Sequence, residues 1–431
     1  MNLASGTELH NFAAELFPGC RSITGDGLRW TLRRIAQRIP LEITEVPSGE
    51  KVFDWTIPPE WTITDAWVAD ARGRRIINFQ ENNLHVLNYS IGVHARMRFS
   101  ELRPHLSTLP HAPELIPYRT SYYHRNWGFC LAHSRLAEFN ENEEYDVCID
   151  ASHTPGYLTY GECVVRGESE DEVLISAHCC HPSLANDNLS GITVATHLAL
   201  ALLQGPRPRH TWRFLFVPAT VGSLAWLARN SQRTHQIQHG LVLTCIGNQG
   251  AYHYKQSRRG TATIDRAMAH LLRHCSESSE IMPFTPVGYD ERQFCSPGFD
   301  LPVGCLMRGV HGTFPEYHTS ADNLDFLSPA ALEGSLALLD ALAELLSNDG
   351  RFQNLSPFGE PQLGKRGLFR ATGGEIMHAM DSARLWILNL SDGSNSLLDI
   401  AERAQLPFSI VLRAAKELRQ AGLLQSEEVT V

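Results

Sequence analysis

Long apolar runs are missing from this chain. No window approaches the roughly 20 apolar residues that a membrane-crossing helix needs, so no such helix is expected. The opening segment, MNLASGTELHNFAAELFPGC, lacks the basic start and unbroken apolar stretch of a secretory leader. Regular cysteine spacing is also absent. Ten cysteines are scattered, and Cys179 and Cys180 are adjacent, which predicts reduced thiols in a cytoplasmic protein rather than a disulfide scaffold. There is no internal repeat and no low-complexity tract, which excludes solenoid architectures. Positive charge is in deficit: 37 Lys and Arg face 47 Asp and Glu, a net charge of −10 that argues against general polyanion binding. What is present is ordinary globular composition over 431 residues, enough for two or three domains.

Residues 3–16 and 26–39 read as helices. Leu28, Leu32, Ile35 and Ile39 recur at helical spacing in the second, with Thr24 or Asp26 as its cap. From 41 to 150, short alternating apolar runs lie between Pro and Gly breaks, with aromatics concentrated between Phe53 and Trp67 and between Tyr118 and Phe129. That texture predicts a β-rich domain inserted into a larger α/β domain formed by 1–40 and 151–350. Strands are expected at 160–166, 172–177, 211–217 and 240–246, and helices at 191–204, 221–230, 262–275 and 329–347. Residues 351–374 read as a linker. From Glu375 to the end, three helical segments precede Ala421-Gly422-Leu423-Leu424, the layout of a winged helix-turn-helix.

The densest chemistry lies in ISAHCCHPSLANDNLSG, from Ile175 to Gly191. A run of β-formers ends in His178, Cys179, Cys180 and His181, and an Asn-Asp-Asn-Leu-Ser-Gly turn then opens an apolar helix. Ligand-type residues at a strand's carboxyl end are how α/β enzymes build sites, and imidazole with carboxylate suits zinc. The plainer alternative for His178 and Asp187 is a polar turn capping the helix. His181, fixed by Pro182, is expected to be structural unless the strand end is displaced. Cys179 and Cys180 are expected to be packed thiols, with Cys180 the alternative zinc ligand.

Six segments carry a resemblance to bacterial aminopeptidase-like domain proteins with a C-terminal winged helix, distant relatives of the co-catalytic zinc aminopeptidases. They are CRSITGDG (20–27), EVPSGEKVFDWTIPPEW (45–61), TSYYHRNWGFC (120–130), HPSLANDNLSG (181–191), YDERQFCSPGFDLPVG (289–304) and PEYHTSADNLDF (315–326). The resemblance implies an α/β fold: a zinc-aminopeptidase-like mixed sheet flanked by helices. It implies His178, Asp187 and His318 as metal ligands. It also exposes departures. Ala219 and Thr220 stand where those enzymes carry paired glutamates, Asn248 where they carry an aspartate, and Cys180 where an aspartate orients the base. Loss of these carboxylates implies one zinc ion at most.

Proton transfer then falls to other residues. Glu316 is the first candidate, and Asp290 and Glu291 are next, either as base or as a clamp for a substrate ammonium. A salt-bridge network of these acids with Arg292 and Arg308 is the plainer expectation. The leading functional reading is a zinc-dependent, aminopeptidase-like amide hydrolase acting on a small amino-acid conjugate or short peptide, with a dedicated biosynthetic substrate implied by the resemblance. The alternatives are a catalytically reduced scaffold, favoured by Ala219, Thr220 and Asn248, and a DNA-binding regulator. The segment from Glu375 onward carries Arg384, Arg403, Arg413, Lys416 and Arg419 against eight acidic residues, a balance of −3 that counts against nucleic acid. Protein contacts or dimerisation are favoured for it, and homo-oligomerisation is left open.

Overall fold

The computed structural model describes residues 3–122, 124–368 and 378–426. Its centre is an eight-stranded mixed sheet. Four parallel strands form the middle, in the order Thr211–Val217, Glu172–His178, Ile237–Leu243 and Val303–Arg308. Every residue of the first, second and fourth of these is buried. Such strands are predominantly apolar, because both faces are covered, and the charged residues they do carry are paired. Tyr157–Val165 and Glu42–Pro47 extend one side antiparallel. Tyr252–Lys255, antiparallel, and Ser279–Met282 extend the other.

Helices Gly6–Leu16, Asp26–Ala36, Gly191–Gln204, Thr263–His274 and Pro329–Asn348 contribute to one core. Val221–Asn230 and the β-rich segment contribute to the other. The sheet also buries Arg213, which is paired with Glu162 and Glu172. Two carboxylates share one guanidinium there, so that the ionised groups are matched rather than stranded.

Several boundaries differ from the sequence expectation. Glu42–Pro47 pairs register by register with Tyr157–Glu162 and so belongs to the central sheet. The insert's own four-stranded sheet starts at Glu60, in the order Arg75–Asn78, Glu60–Ala69, Glu144–Thr154, Val93–Arg98. The second helix is capped by Gly25 without a side-chain bond. Thr24 Oγ1 instead accepts the Trp61 amide at 3.0 Å. Strand 240–246 is displaced to Ile237–Leu243, and Cys245 stands beyond it at φ 51°.

The linker expectation is corrected at its start. Arg351–Asn354 is the middle strand of a three-stranded sheet with Asp392–Ser396 and Leu424–Ser426. Its alternate residues Phe352 and Asn354 are buried beneath the helices Ala379–Leu390, Leu397–Ala404 and Phe408–Gln420. This unit is a winged helix. The expected boundary at Glu375 lies outside the described residues. No described helix is long and apolar enough to cross a membrane.

The winged helix docks on the α/β domain through a titratable contact. His270 Nε2 accepts the Phe408 amide at 3.1 Å, which requires a neutral ring. Burial, then His274 and neighbouring arginines, push His270 down to about 4. Between about pH 6.5 and 4 the unfolded chain binds a proton there that the folded chain refuses, so stability falls as pH falls through that window. His270→Gln keeps an acceptor without titrating. Its thermal midpoint is expected to fall less than that of the wild type between pH 7 and 4.5, and an equal fall would contradict this.

Candidate functional site

His178 is the last residue of the buried strand Glu172–His178. The chain then turns through His181 and Pro182 into the segment Ala185–Ser190, which precedes helix Gly191–Gln204. Gly191 is required here. A Cβ on it would lie 2.5 Å from Asn188 Oδ1 and 2.6 Å from the Leu243 carbonyl oxygen. This close approach returns Asp187 over the end of the strand. His318 arrives from the loop after Val303–Arg308 and sits at φ 55°, a backbone region uncommon for residues other than glycine.

The three side chains meet. His178 Nε2 lies 2.8 Å from Asp187 Oδ1, and His318 Nε2 lies 3.0 Å from Asp187 Oδ2. His178 and Asp187 are fully buried, whereas the His318 side chain is 31% exposed. Burial alone would raise the Asp187 carboxyl. His181 and His178, with hydrogen bonds from His178 and His318, outweigh it and hold the group well below the usual carboxylate range.

His181 joins them, with Nε2 3.9 Å from Asp187 Oδ2. His178, His181 and Asp187 present ligand atoms within 4.8 Å of one another. Position beside a proline pointed to a structural role, but the ring lies against His178 and His318, with centroids 4.8 and 5.2 Å apart. The buried Arg21 fixes it by donating from Nε to the His181 carbonyl at 2.7 Å. Burial holds the His181 ring well below its ordinary value, so it stays neutral with a lone pair available.

Aromatic rings set the orientation of the imidazoles. Tyr289 stacks on His178 with ring centroids 4.7 Å apart, and Tyr317 stacks on His318 at 3.9 Å. Their hydroxyls are 3.0 Å apart, and Tyr289 donates to Asp187 Oδ2 at 3.2 Å. Tyr118 stands 5.0 Å from both His181 and His318. It comes from the insert, whose segment also gives the Tyr118 amide to the His318 carbonyl at 2.8 Å. The tyrosines neighbour flagged residues in sequence, but nothing in their spacing signals stacking.

Asp322 was also missed. It is fully buried and accepts the amides of Ala185, Asn186 and Asp187 at 3.1, 2.6 and 3.0 Å. Burial pushes its carboxyl up to about 7 against these donors. The clue was its place four residues after His318.

The candidate acids separate. Asp290 is buried, accepts from Ser223 Oγ at 2.9 Å through Oδ1, and leaves Oδ2 without a partner. Burial pushes it up to about 6, opposed by His178. Glu291 pairs with Lys255, and Arg308 pairs with Glu277, so the expected network with Arg292 and Arg308 does not form. Glu316 is half-buried, with no hydrogen bond or ion pair from its side chain to the cluster. Cys179 and Cys180 are buried, and burial pushes the Cys180 thiol up to about 12, which keeps it protonated. Asn248 Oδ1 accepts the Gly250 amide at 3.0 Å in its own turn.

Beside His318 opens a cavity of about 470 Å3 lined by Arg119, His111, Phe314 and Tyr317 among others, with no carboxylate among the described residues of its wall. The expected ammonium clamp, Asp290 and Glu291, does not line it. For a metal, the donor set is two or three imidazoles and one carboxylate. Tetrahedral zinc with bonds of roughly 2.1 Å separates its ligands by about 3.4 Å; His178 and His318 approach different oxygens of Asp187, at 2.8 and 3.0 Å, and the ligand atoms that lie within 4.8 Å of one another are those of His178, His181 and Asp187. The residues fit the group.

Comparison with known proteins agrees with this fold. The family described as a domain of unknown function (DUF4910) matches residues 10–349, and a winged helix-turn-helix family matches 351–426. A relative from Clostridium acetobutylicum is 47% identical over 98% of this chain and 96% of its own length. Its name makes it a candidate polysaccharide biosynthesis protein with an aminopeptidase-like domain. The crystal structure of a candidate peptidase from Clostridium acetobutylicum superposes with a TM-score of 0.93 at 46% identity, covering 98% of this chain and 96% of that one. A zinc aminopeptidase from Bacillus subtilis shares the fold at a TM-score of 0.56 and 13% identity, covering 80% and 96%.

Removing the acceptor for three buried amides is costly. Asp322→Ala is expected to destabilise the protein by about 3 kcal/mol, and Asp322→Asn, which keeps one acceptor oxygen, by less. Urea denaturation checks this; equal midpoints for the two variants would contradict the assignment.

Proposed function

The chain belongs to the DUF4910 family with a winged helix behind it, and from that premise we propose that it is a zinc-dependent, aminopeptidase-like amide-bond hydrolase. The observation that carries this reading is one buried carboxylate, Asp187, shared by two imidazoles at the edge of a solvent-facing cavity. His178, Asp187 and His318 would hold the ion, with His181 next in reach. Bound there, zinc would supply Lewis-acid polarisation of a carbonyl and acidify a water.

The chain's own groups do the rest. Asp290, although outside the cavity wall, is the candidate proton carrier, because one of its oxygens is left without a hydrogen-bond partner and burial raises it towards neutrality. Glu291 is neutralised by Lys255, which suits a structural role. Glu316 remains a second acid near the cavity wall, between Pro315 and Tyr317. Tyr289 and Tyr317 keep the imidazoles in place and limit water on the buried side. Arg119 in the cavity wall suits the carboxylate of a small amino-acid conjugate or short peptide. A single ion is favoured, since Ala219, Thr220 and Asn248 offer no further carboxylate.

Those same three residues support a second reading, a binding module that keeps the cluster without turnover. Purified protein is expected to hold about one zinc per chain and to hydrolyse members of a panel of aminoacyl amides and dipeptides, with loss on chelation. His318→Ala should lose zinc and activity together. Asp290→Asn should keep zinc and lose roughly 10²–10⁴ in turnover. Zinc bound without turnover across the panel would favour the module; no zinc at all would contradict both.

A further inference from the structure

The α/β domain and the winged helix enclose a cleft of about 660 Å3 that shares no residue with the cavity beside His318. Four cationic side chains line it: Arg209 from the α/β domain, Arg351 from the middle winged-helix strand, and Lys416 and Arg419 from helix Phe408–Gln420. Among the described residues none of the four meets a carboxylate at ion-pair distance. Arg209 donates to the Asp349 carbonyl, and Arg419 lies 5.9 Å over the Phe352 ring. Among the described residues the cleft's one carboxylate is Asp349, which already accepts the Leu398 amide at 2.9 Å.

Elsewhere the same interface matches its charges. Arg266 pairs with Asp399 and Glu402 across the two domains, and Arg384 with Asp381 and Glu417 inside the winged helix. Four cations without a carboxylate partner among the described residues converge on one concavity, which makes the cleft locally positive in a chain of net charge −10.

Lys416 and Arg419 lie on the third helix, the position with which a winged helix reads DNA. Here they turn towards Arg209 and Arg351 across a cleft of small-molecule size, too confined for a duplex. Ser347, Ser396 and Ser426 add hydroxyl donors, and Phe352 and Leu412 supply an apolar wall. We propose that this interdomain cleft is a binding site for a small phosphate-bearing anion, either inorganic pyrophosphate or the diphosphate of an organic ester such as a nucleoside diphosphate. Arginine forks match phosphate oxygens in pairs, and the ligand bridges both domains.

The test uses the full chain, freed of metal by chelator and dialysis so that a phosphate probe cannot report on the His178 cluster. Titration calorimetry with pyrophosphate and with uridine diphosphate, at matched ionic strength, is expected to show saturable binding. Tighter binding of the nucleotide marks an organic ester as the ligand, and equal or tighter pyrophosphate binding marks the inorganic ion. Lys416→Gln with Arg419→Gln should weaken either by at least tenfold. Arg413→Gln, whose partner is Glu417 outside the cleft, should leave it unchanged. If the double variant does not fold, Arg351→Gln alone carries the comparison. Binding no greater than that of added chloride, undiminished binding in the folded variants, or preferential binding of short duplex DNA lost in the same variants would overturn the proposal.

Discussion

The structure turns on a single buried carboxylate. Asp187 has no solvent exposure, and its two oxygens are shared by His178 on one side and by His318 and Tyr289 on the other. A charge in that position is tolerable only because imidazoles and a phenol surround it. Everything nearby serves to hold that arrangement. Asp322 fixes the backbone on which Asp187 sits, Gly191 permits the turn to close on Leu243, and stacked tyrosines stop the imidazoles from rotating.

This constraint explains why distant segments of sequence look so particular. CRSITGDG supplies Arg21, which holds the His181 carbonyl, while Ser22 and Asn88 tie that turn to the insert. PEYHTSADNLDF supplies the ligand-type His318, the stacking Tyr317 and the backbone acceptor Asp322 within six residues. The insert is therefore part of the site's frame: its residues 116–118 bond to the backbone around His318 and Ser320.

Much of this was legible in the sequence. Strand–helix alternation located three of the four parallel strands, Glu172–His178, Thr211–Val217 and, displaced, Ile237–Leu243, and missed Val303–Arg308; the HCCH and NDNLSG segments marked the end of one of them. What stayed hidden depends on tertiary approach. Glu42–Pro47 buries only Val46 and carries no pattern of its own that assigns it to the central sheet rather than to the insert. Arg351–Asn354 is four residues long amid Gly and Pro and gains its identity only by pairing with strands more than 35 residues away. His181 joins the cluster by approaching Asp187 and His178, which its place before Pro182 does not signal. Lys255 as the partner of Glu291 depends on a strand crossing that spacing does not encode.

The central claim is that His178, Asp187 and His318 form one nitrogen- and oxygen-rich metal centre. X-ray absorption at the zinc edge, on protein loaded with one equivalent of zinc, addresses it most directly. The account predicts only nitrogen and oxygen neighbours, at roughly 2.0–2.2 Å. A sulfur shell near roughly 2.3 Å would move the ion to the cysteines and contradict it.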